Sequence, residues 1–577
     1  MCGIFLCARA SDVDVDFFDL SRKLQAANAA RGPDSQGHHK TIIAPDGAGS
    51  QTLILDFYAS ELRLRGNDPI EQPHQKDGDV LCWNGEIFDG TLKISAHEND
   101  GVRLFSELRK MEAMERIRDL FGYIEGPYAF VYYQSRSRRL FFGRDPLGRR
   151  SLLIHKPSSS LPYTLLASVS AGADSRYDFE ELSTESIFCL DLRTPSDFQK
   201  EFVSRLISLP RHSSDLAVAP FAEPSKLNTF VPLINDASTT ESLAHVPDHL
   251  ARAVDDLIHC LDRSVMLQVQ NIPQKTAKGK ARVAVLFSGG IDSTVITYLA
   301  HKHIPYDEPI DLLNVAFENP RKIRLQAEGN TGGKQKHKKR SVPVVELDTR
   351  TSYSVPDRLT GLHEVEELRR LCPERSWNFV EINVSYEESQ GTRDIVESLM
   401  LPGRTVMDLS LALALYFASR GKGQVRTSLD GEAVPYTSPA CVLLNGLGSD
   451  ELLGGYGRHR SAYNSGSHVA MIIKLQLEID RIPIRNLGRD DRVISSHGKE
   501  TRHPFLSLTV LNFLASLPVH HKMDPRLEVG LGDKMLLRMA AWKLGLVEAS
   551  KRKKRAMQFG SHSARMDGER RGDTLLE

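Results

Sequence analysis

VAVLFSGGIDST occupies residues 283–294, and the reading of this dozen decides the architecture of the second half of the chain. The apolar run from Val283 to Phe287 has the length of a fully buried strand. Ser288, Gly289 and Gly290 interrupt it, and TVITYLAHKH (294–303) resumes with helical spacing. Strand, glycine loop and helix in succession predict the first unit of a doubly wound parallel-sheet α/β domain. Such a loop turns successive backbone N–H groups into one concavity, and the following helix adds its partial positive end. The predicted ligand is therefore a phosphate. Asp292 sits inside the loop, where a carboxylate can hold Mg²⁺ against that phosphate. The spacing is not GxxxxGK[ST] and no lysine follows, so this is not a Walker A loop.

Downstream, LLNGLGSDELLGGYGRHR (443–460) carries a second apolar run that ends at Asn445 and Gly446 and leads to Asp450. Carboxylates just past a strand end lie where open α/β sheets bind ligands, so Asp292 and Asp450 are expected to share a metal–pyrophosphate. LGDKMLLRMAAWKLGL (531–546) reads as an amphipathic helix bearing Lys534 and Arg538. A lysine there can neutralise a departing pyrophosphate, although taken alone it reads as a solvated helix face.

Upstream the texture differs. Residues 1–205 hold short apolar runs separated by Gly, Asp and Pro, and YAFVYYQSRSRRLFFGRD (128–145) reads as a β-hairpin. Antiparallel sheet with a few helices, one over 101–118, is expected there. Residues 206–245 form a linker, and 246–577 form the α/β domain, beginning with a helix over HLARAVDDLIHCLDRSVMLQVQ (249–270). Two stretches look inserted, the basic 320–341 and the polar 420–438, and both are expected to be mobile loops. The basic one could touch RNA, but a solvated insertion is the default.

The 577 residues contain 74 Lys+Arg and 74 Asp+Glu, which argues against a whole-protein electrostatic grip on nucleic acid or membrane. No run reaches the ~18 apolar residues of a membrane span, and no secretory signal is expected. The seven scattered cysteines lack CxxC spacing, which suits reduced thiols in the cytoplasm and excludes a zinc site.

The start of the chain, MCGIFLCARA, puts a cysteine at position 2. With it come RGPDSQGHH (31–39), ELRLRG (61–66), CWNGEIFDG (82–90), END (98–100) and FFGRDPLGRRSLL (141–153). This ordered set resembles the class II glutamine amidotransferases, and SGGIDS resembles the PP-loop pyrophosphatases. Together they resemble the glutamine-hydrolysing asparagine synthetase family. YSVPDRLTGLHEVEELR (353–369) and RKKRAMQFGS (552–561) look closer to its divergent eukaryotic branch, the asparagine synthetase domain-containing proteins.

The resemblance implies an N-terminal αββα sandwich of the N-terminal-nucleophile type over residues 2–205, ahead of a PP-loop ATP-binding domain. It implies that Met1 is removed and that the freed α-amine of Cys2, with an ordinary pKa near ~8, is the base for its own thiol. Asn84 and Gly85 would supply the oxyanion donors, and Glu86 and Asp100 would take the substrate ammonium. Arg63 or Arg65 would pair with its carboxylate, with Arg63 preferred. Phe287, Ser288, Gly289, Gly290, Asp292, Ser293, Asn445 and Gly446 would contact ATP, with Mg²⁺ on Asp292 and Asp450. The implied substrates are glutamine, aspartate and ATP. One position departs from the family pattern: where asparagine synthetases carry SGEGSDE or SGEGADE, this chain reads NGLGSDE, so Leu447 replaces a glutamate. A glutaminase alone, or a nucleotide-binding regulator, is the alternative that this leucine suggests.

Overall fold

The computed structural model describes residues 2–13, 17–45, 50–193, 196–211, 219–232, 242–275, 279–318, 353–426, 431–566 and 572–576. The first lobe is built on two six-stranded antiparallel sheets. One runs, edge to edge, Glu180–Glu181, Leu153–His155, Tyr163–Ala167, Gly3–Ala10, Leu53–Glu61 and Ser35–Ile43. The other runs Leu206–Pro210, Ser186–Asp191, Arg139–Arg144, Tyr128–Gln134, Asp79–Gly85 and His74–Lys76. The period-2 alternation of each strand divides its residues between two layers. Ile4, Leu6, Leu55 and Phe57 meet Val80, Cys82, Val131 and Phe142 between the sheets. Phe5, Cys7 and Tyr58 face outward onto the helix Phe17–Ala29. Leu81, Trp83 and Phe130 face outward onto Asp100–Leu108 and Met114–Gly122. The result is the expected αββα sandwich.

The expected hairpin forms, with Phe130 opposite Gly143. The single helix expected over 101–118 is two helices, broken at 109–113. The break lets Leu104 and Leu108 on one, and Ile117 and Phe121 on the other, each reach the same sheet face. Strand Leu206–Pro210 pairs with Ser186–Asp191, so the first sheet system extends five residues into the stretch read as linker.

The second lobe holds a seven-stranded sheet in the order Val434–Thr437, Lys422–Val425, Trp377–Val384, Ile310–Phe317, Val283–Leu286, Val442–Leu444 and Glu500–Arg502. The last five are parallel. Val283 and Val285 pack with the helices Asp248–Val269 and Ile291–His301, whereas Ala284 and Leu286 pack with Tyr386–Met400 and Val406–Arg420. Both faces are therefore covered, as a parallel sheet requires. Strand order reverses between Val283–Leu286 and Val442–Leu444, the two strands that lead into the glycine loop and into NGLGSDE. The reading of 420–438 as a mobile loop is corrected: 422–425 and 434–437 form an antiparallel hairpin on the sheet edge, where paired backbone groups replace solvent. The sheet is consequently mixed rather than all parallel. The basic insert 320–341 lies outside the described residues. Among the described residues no helix is long and apolar enough to cross a membrane.

Candidate functional site

Cys2 immediately precedes a central strand of the first sheet and is 7% exposed. Its surroundings fix it from several sides. Gly3 N donates to Ser60 Oγ (3.0 Å), and Ser60 Oγ donates to the carbonyl of Asn28 (2.8 Å). A Cβ on Gly3 would lie 2.1 Å from that carbonyl oxygen, so only glycine passes here. Arg31 Nε donates to Cys2 O (3.3 Å). Cys2 N donates to Asn84 Oδ1 (3.0 Å), while Asn84 Nδ2 is buried with no hydrogen-bond partner. An unpaired buried donor costs about 1–3 kcal/mol, so a persistent one beside a thiol is a candidate oxyanion contact. Gly85 follows, and its missing side chain matters: a Cβ would meet Trp83 and Tyr128 at 2.7 Å. Burial pushes the Cys2 thiol up to about 12, so ionisation needs a base held close. Gln72 Nε2 approaches Cys2 Sγ at 3.8 Å, and Gln72 Oε1 accepts from Trp83 N (2.8 Å). Nothing in the sequence marks this glutamine.

Glu86 and Asp100, further along the same lobe, are both buried. Asp100 accepts from Ile87 N and Gly101 N, each 2.9 Å. Burial, and then the charge of Glu86, push its carboxyl up to about 7. Arg65 Nε donates to Glu86 Oε2 (2.6 Å). Arg65 is thus paired with Glu86, and Arg502 Nη2 approaches the same carboxylate at 3.8 Å. Arg63, preferred from the sequence, and Arg65 lie in different surroundings. The strand ends at Glu61 and the chain bends, so alternation no longer fixes which side a residue faces. Arg63 is half-buried, its guanidinium on the carbonyl of Asn67, while Arg65 turns inward.

The second constellation lies about 290 residues along. Phe287 N donates to Leu313 O (2.9 Å), which carries the loop off the strand. Gly289 takes φ +73°, and a Cβ there would lie 2.5 Å from Gly361 N. Ser288 Oγ accepts from Gly290 N (3.3 Å), and Ser293 Oγ donates back to Gly290 O (3.0 Å). Gly446 brings the neighbouring loop down on this one, since a Cβ there would lie 2.8 Å from Asp292 Cβ. Lys534 Nζ then bridges the loops, 2.6 Å from Asp292 Oδ2 and 2.7 Å from Asp450 Oδ1. Its partners hold the Asp450 carboxyl far below the usual range despite burial. Lys534 is fully buried and precedes the helix Met535–Lys543, in the left-handed region at φ 53°, so it is not a solvated helix face. Asp292 and Asp450 converge on one point, and two carboxylates completed by phosphate oxygens and water form a donor set that fits Mg²⁺. Among the described residues no group of three or more ligating side chains is present.

Leu447 packs against the large apolar cluster of this lobe. Lys554 Nζ is 2.5 Å from Asp450 Oδ2; it belongs to the stretch RKKRAMQFGS, which does not by itself mark it as a site residue.

One residue touches both constellations. Arg502 Nη2 lies 3.8 Å from Glu86 Oε1, and its carbonyl accepts from Asn445 N (2.9 Å). Around it runs a buried ionic seam between the lobes. Arg31 Nη2 meets Asp491 (2.7 Å), Arg150 meets Glu500 (2.9 Å), and Arg502 meets Glu500 (2.6 Å), each side chain 2% exposed or less.

A glutamine amidotransferase domain model matches residues 59–169, and an asparagine synthase model matches residues 246–331 and 468–573. Human asparagine synthetase domain-containing protein 1 is 37% identical over 625 aligned residues, which cover 98% of this chain and 96% of that protein. The asparagine synthetase domain-containing protein of Saccharomyces cerevisiae is 32% identical, covering 100% of this chain and 99% of its own. That of Drosophila melanogaster is 29% identical over the whole of both chains. With likeness running end to end through both lobes, this chain belongs to the asparagine synthetase domain-containing protein family.

Proposed function

We propose that the chain is a glutamine-dependent amidotransferase that makes asparagine from aspartate with cleavage of ATP to AMP and pyrophosphate. Removal of Met1 turns Cys2 N from an amide into an amine, already within hydrogen-bond distance of Asn84. That amine takes the thiol proton. The thiolate attacks the glutamine carboxamide carbon, and Asn84 Nδ2 and Gly85 N–H receive the oxyanion. Glu86 and Asp100 hold the glutamine ammonium, and Arg63 or Arg65 its carboxylate. In the second lobe Phe287, Ser288, Gly289, Gly290, Ser293, Asn445 and Gly446 cradle ATP, and Mg²⁺ on Asp292 and Asp450 would neutralise phosphate charge. Lys534 steadies the departing pyrophosphate. Ammonia is mostly ammonium near pH 7, and ammonium is not a nucleophile, so a closed passage between the two sites preserves the reactive form.

The observation that carries this reading is the meeting of Asp292, Asp450 and Lys534 within 2.6–2.7 Å at the strand-order reversal. A second reading, glutamine hydrolysis without synthetase chemistry, is favoured by Leu447, which can neither take a proton nor order a cation. Purified trimmed protein with glutamine, aspartate and Mg-ATP separates the two. Asparagine formation that is lost in Cys2→Ala and restored by ammonium supports the first. Glutamate release without pyrophosphate refutes it and supports the second.

A further inference from the structure

Two carboxylates act on Cys2 through space, Glu61 and Glu500, and only one of them is compensated. Glu500 is paired with Arg150 and with Arg502. Glu61 is 3% exposed and has no ion pair among the described residues. Its Oε2 accepts from Ile70 N (2.7 Å) and its Oε1 from Asn99 Nδ2 (3.3 Å), both of them neutral donors. Burying a carboxylate without a counter-charge is costly, and such groups concentrate at functional sites.

Strand register places this group. Gly3 pairs with Ser60, Ile4 with Ala59 and Leu6 with Phe57, and the last two pairs point into the layer between the sheets. Carried one residue further, the same antiparallel register sets Cys2 opposite Glu61. The period of two then turns both side chains toward that layer. Directly opposed residues on antiparallel strands have Cβ atoms about 4.5–5.5 Å apart. The second sheet contributes Val80 and Cys82 to the same layer, and Asn84 follows two residues on. Leu62 N–H donates to the Cys2 sulfur, so the end of the Glu61 strand lies against the thiol.

Resting on the reading of Cys2 as the nucleophile that attacks glutamine, we propose that Glu61 is a positioning residue: it supplies the counter-charge for the Cys2 α-ammonium and so sets the pH at which that amine serves as base. In the first step the S–H bond of Cys2 breaks and an N–H bond forms on its own nitrogen. Thiolate and ammonium result, and Glu61 gains no proton. A carboxylate across the strand pair favours the charged amine over the neutral one. The charged groups around Glu61 are Asp34, which raises its carboxyl, and the chain's amino end and Lys275, which lower it. Lys275 is engaged by Asp34, which leaves the amine as the cation for Glu61 to neutralise. The Cys2 thiol faces the same carboxylate, whose charge adds to the effect of burial in holding the proton on sulfur.

The test has two readouts on the full trimmed chain. One is the pH profile of kcat/KM for glutamate release, which reports the free enzyme's base. The other is cyanate labelling of the α-amine against pH, counted on the N-terminal peptide by mass spectrometry. Both rise as the amine loses its proton. Removing one unit charge at this separation moves a neighbour's titration by about one pH unit. Glu61→Gln keeps the shape and an acceptor oxygen, and it should move both midpoints down by about that much. Glu61→Asp should hold them near the parent values, which separates charge from folding. Glu71→Gln, an exposed carboxylate in the neighbouring loop, should leave them in place. Unmoved midpoints in Glu61→Gln, with glutamate still released, mean that the proposal is wrong and the glutaminase reading stands. A raised KM with unmoved midpoints would make Glu61 a clasp for Ile70 and Asn99 and also overturn it. A parent chain that is labelled but releases no glutamate sinks the glutaminase reading and the proposal with it.

Discussion

Asn84 has two separable duties, and substitution can tell them apart. Its Oδ1 accepts from Cys2 N at 3.0 Å, and its Nδ2 is buried without a partner. Asn84→Asp keeps an acceptor of the same shape and deletes the donor; Asn84→Ala deletes both. Loss of one preorganised oxyanion donor lowers kcat by about 10²–10³, equivalent to about 2.7–4 kcal/mol, while the ground-state KM changes little. The stability effects differ in sign. Removing the Oδ1 bond costs about 0.5–1.5 kcal/mol, whereas removing a donor that is already unsatisfied relieves part of a desolvation penalty of about 1–3 kcal/mol. Asn84→Ala should therefore unfold within about 1 kcal/mol of the parent yet hydrolyse glutamine at least about a hundredfold more slowly. Glutamate release under saturating glutamine, with urea unfolding of the same preparations, gives both numbers. Either variant retaining a kcat within threefold of the parent would refute the oxyanion assignment, since the donor is the one feature both lack.

Asp450→Asn leaves Lys534 and Lys554 short of a counter-charge in a buried site. It should destabilise the fold by about 3–5 kcal/mol in urea and abolish pyrophosphate release, with glutaminase activity retained. Gly3→Ala must move backbone, because its Cβ would fall 2.1 Å from Asn28 O. A cost of about 1–3 kcal/mol and loss of glutamine hydrolysis are expected, readable by thermal unfolding and glutamate assay. For Asp100 the folded carboxyl is raised to about 7 by burial and by Glu86. Between pH 4 and 7 the native state holds a proton that the unfolded chain has released, so this group makes stability fall as pH rises through that window. Asp100→Asn should flatten that slope in urea titrations, and the parent KM for glutamine should rise below pH 7 as the carboxylate is lost.

Both lobes were legible wherever short-range chemistry set the outcome. The apolar run before Ser288 and the alternation in 128–145 suffice because strands and glycine loops are local objects. Asp292, Asp450 and Lys534 could be paired from the sequence because strand ends and the helix start confine them to one rim. What failed depended on packing between distant segments. The bend after Leu64 gives Arg63 and Arg65 different surroundings, and no periodicity reports it. Gln72 and Arg502 are single polar residues in unremarkable contexts, placed by three-dimensional closure. Lys554 sits in a charge run, a pattern that is solvated surface in most proteins, and only the anchors of its segment on Arg538 and Phe317 turn it inward. The 420–438 stretch is polar because it is an edge hairpin, and edge strands resemble loops in composition.

The ionic seam through Arg31, Asp491, Arg150, Glu500 and Arg502 has a practical corollary for genetics and expression. Each half carries charges whose partners are encoded on the other side of residues 206–245. A reading frame stopped in that interval, or two pieces produced separately, would present bare guanidinium and carboxylate groups to water on a surface shaped for enclosure. Truncating alleles should thus silence both halves together, and complementation in trans should require co-translation of the two pieces.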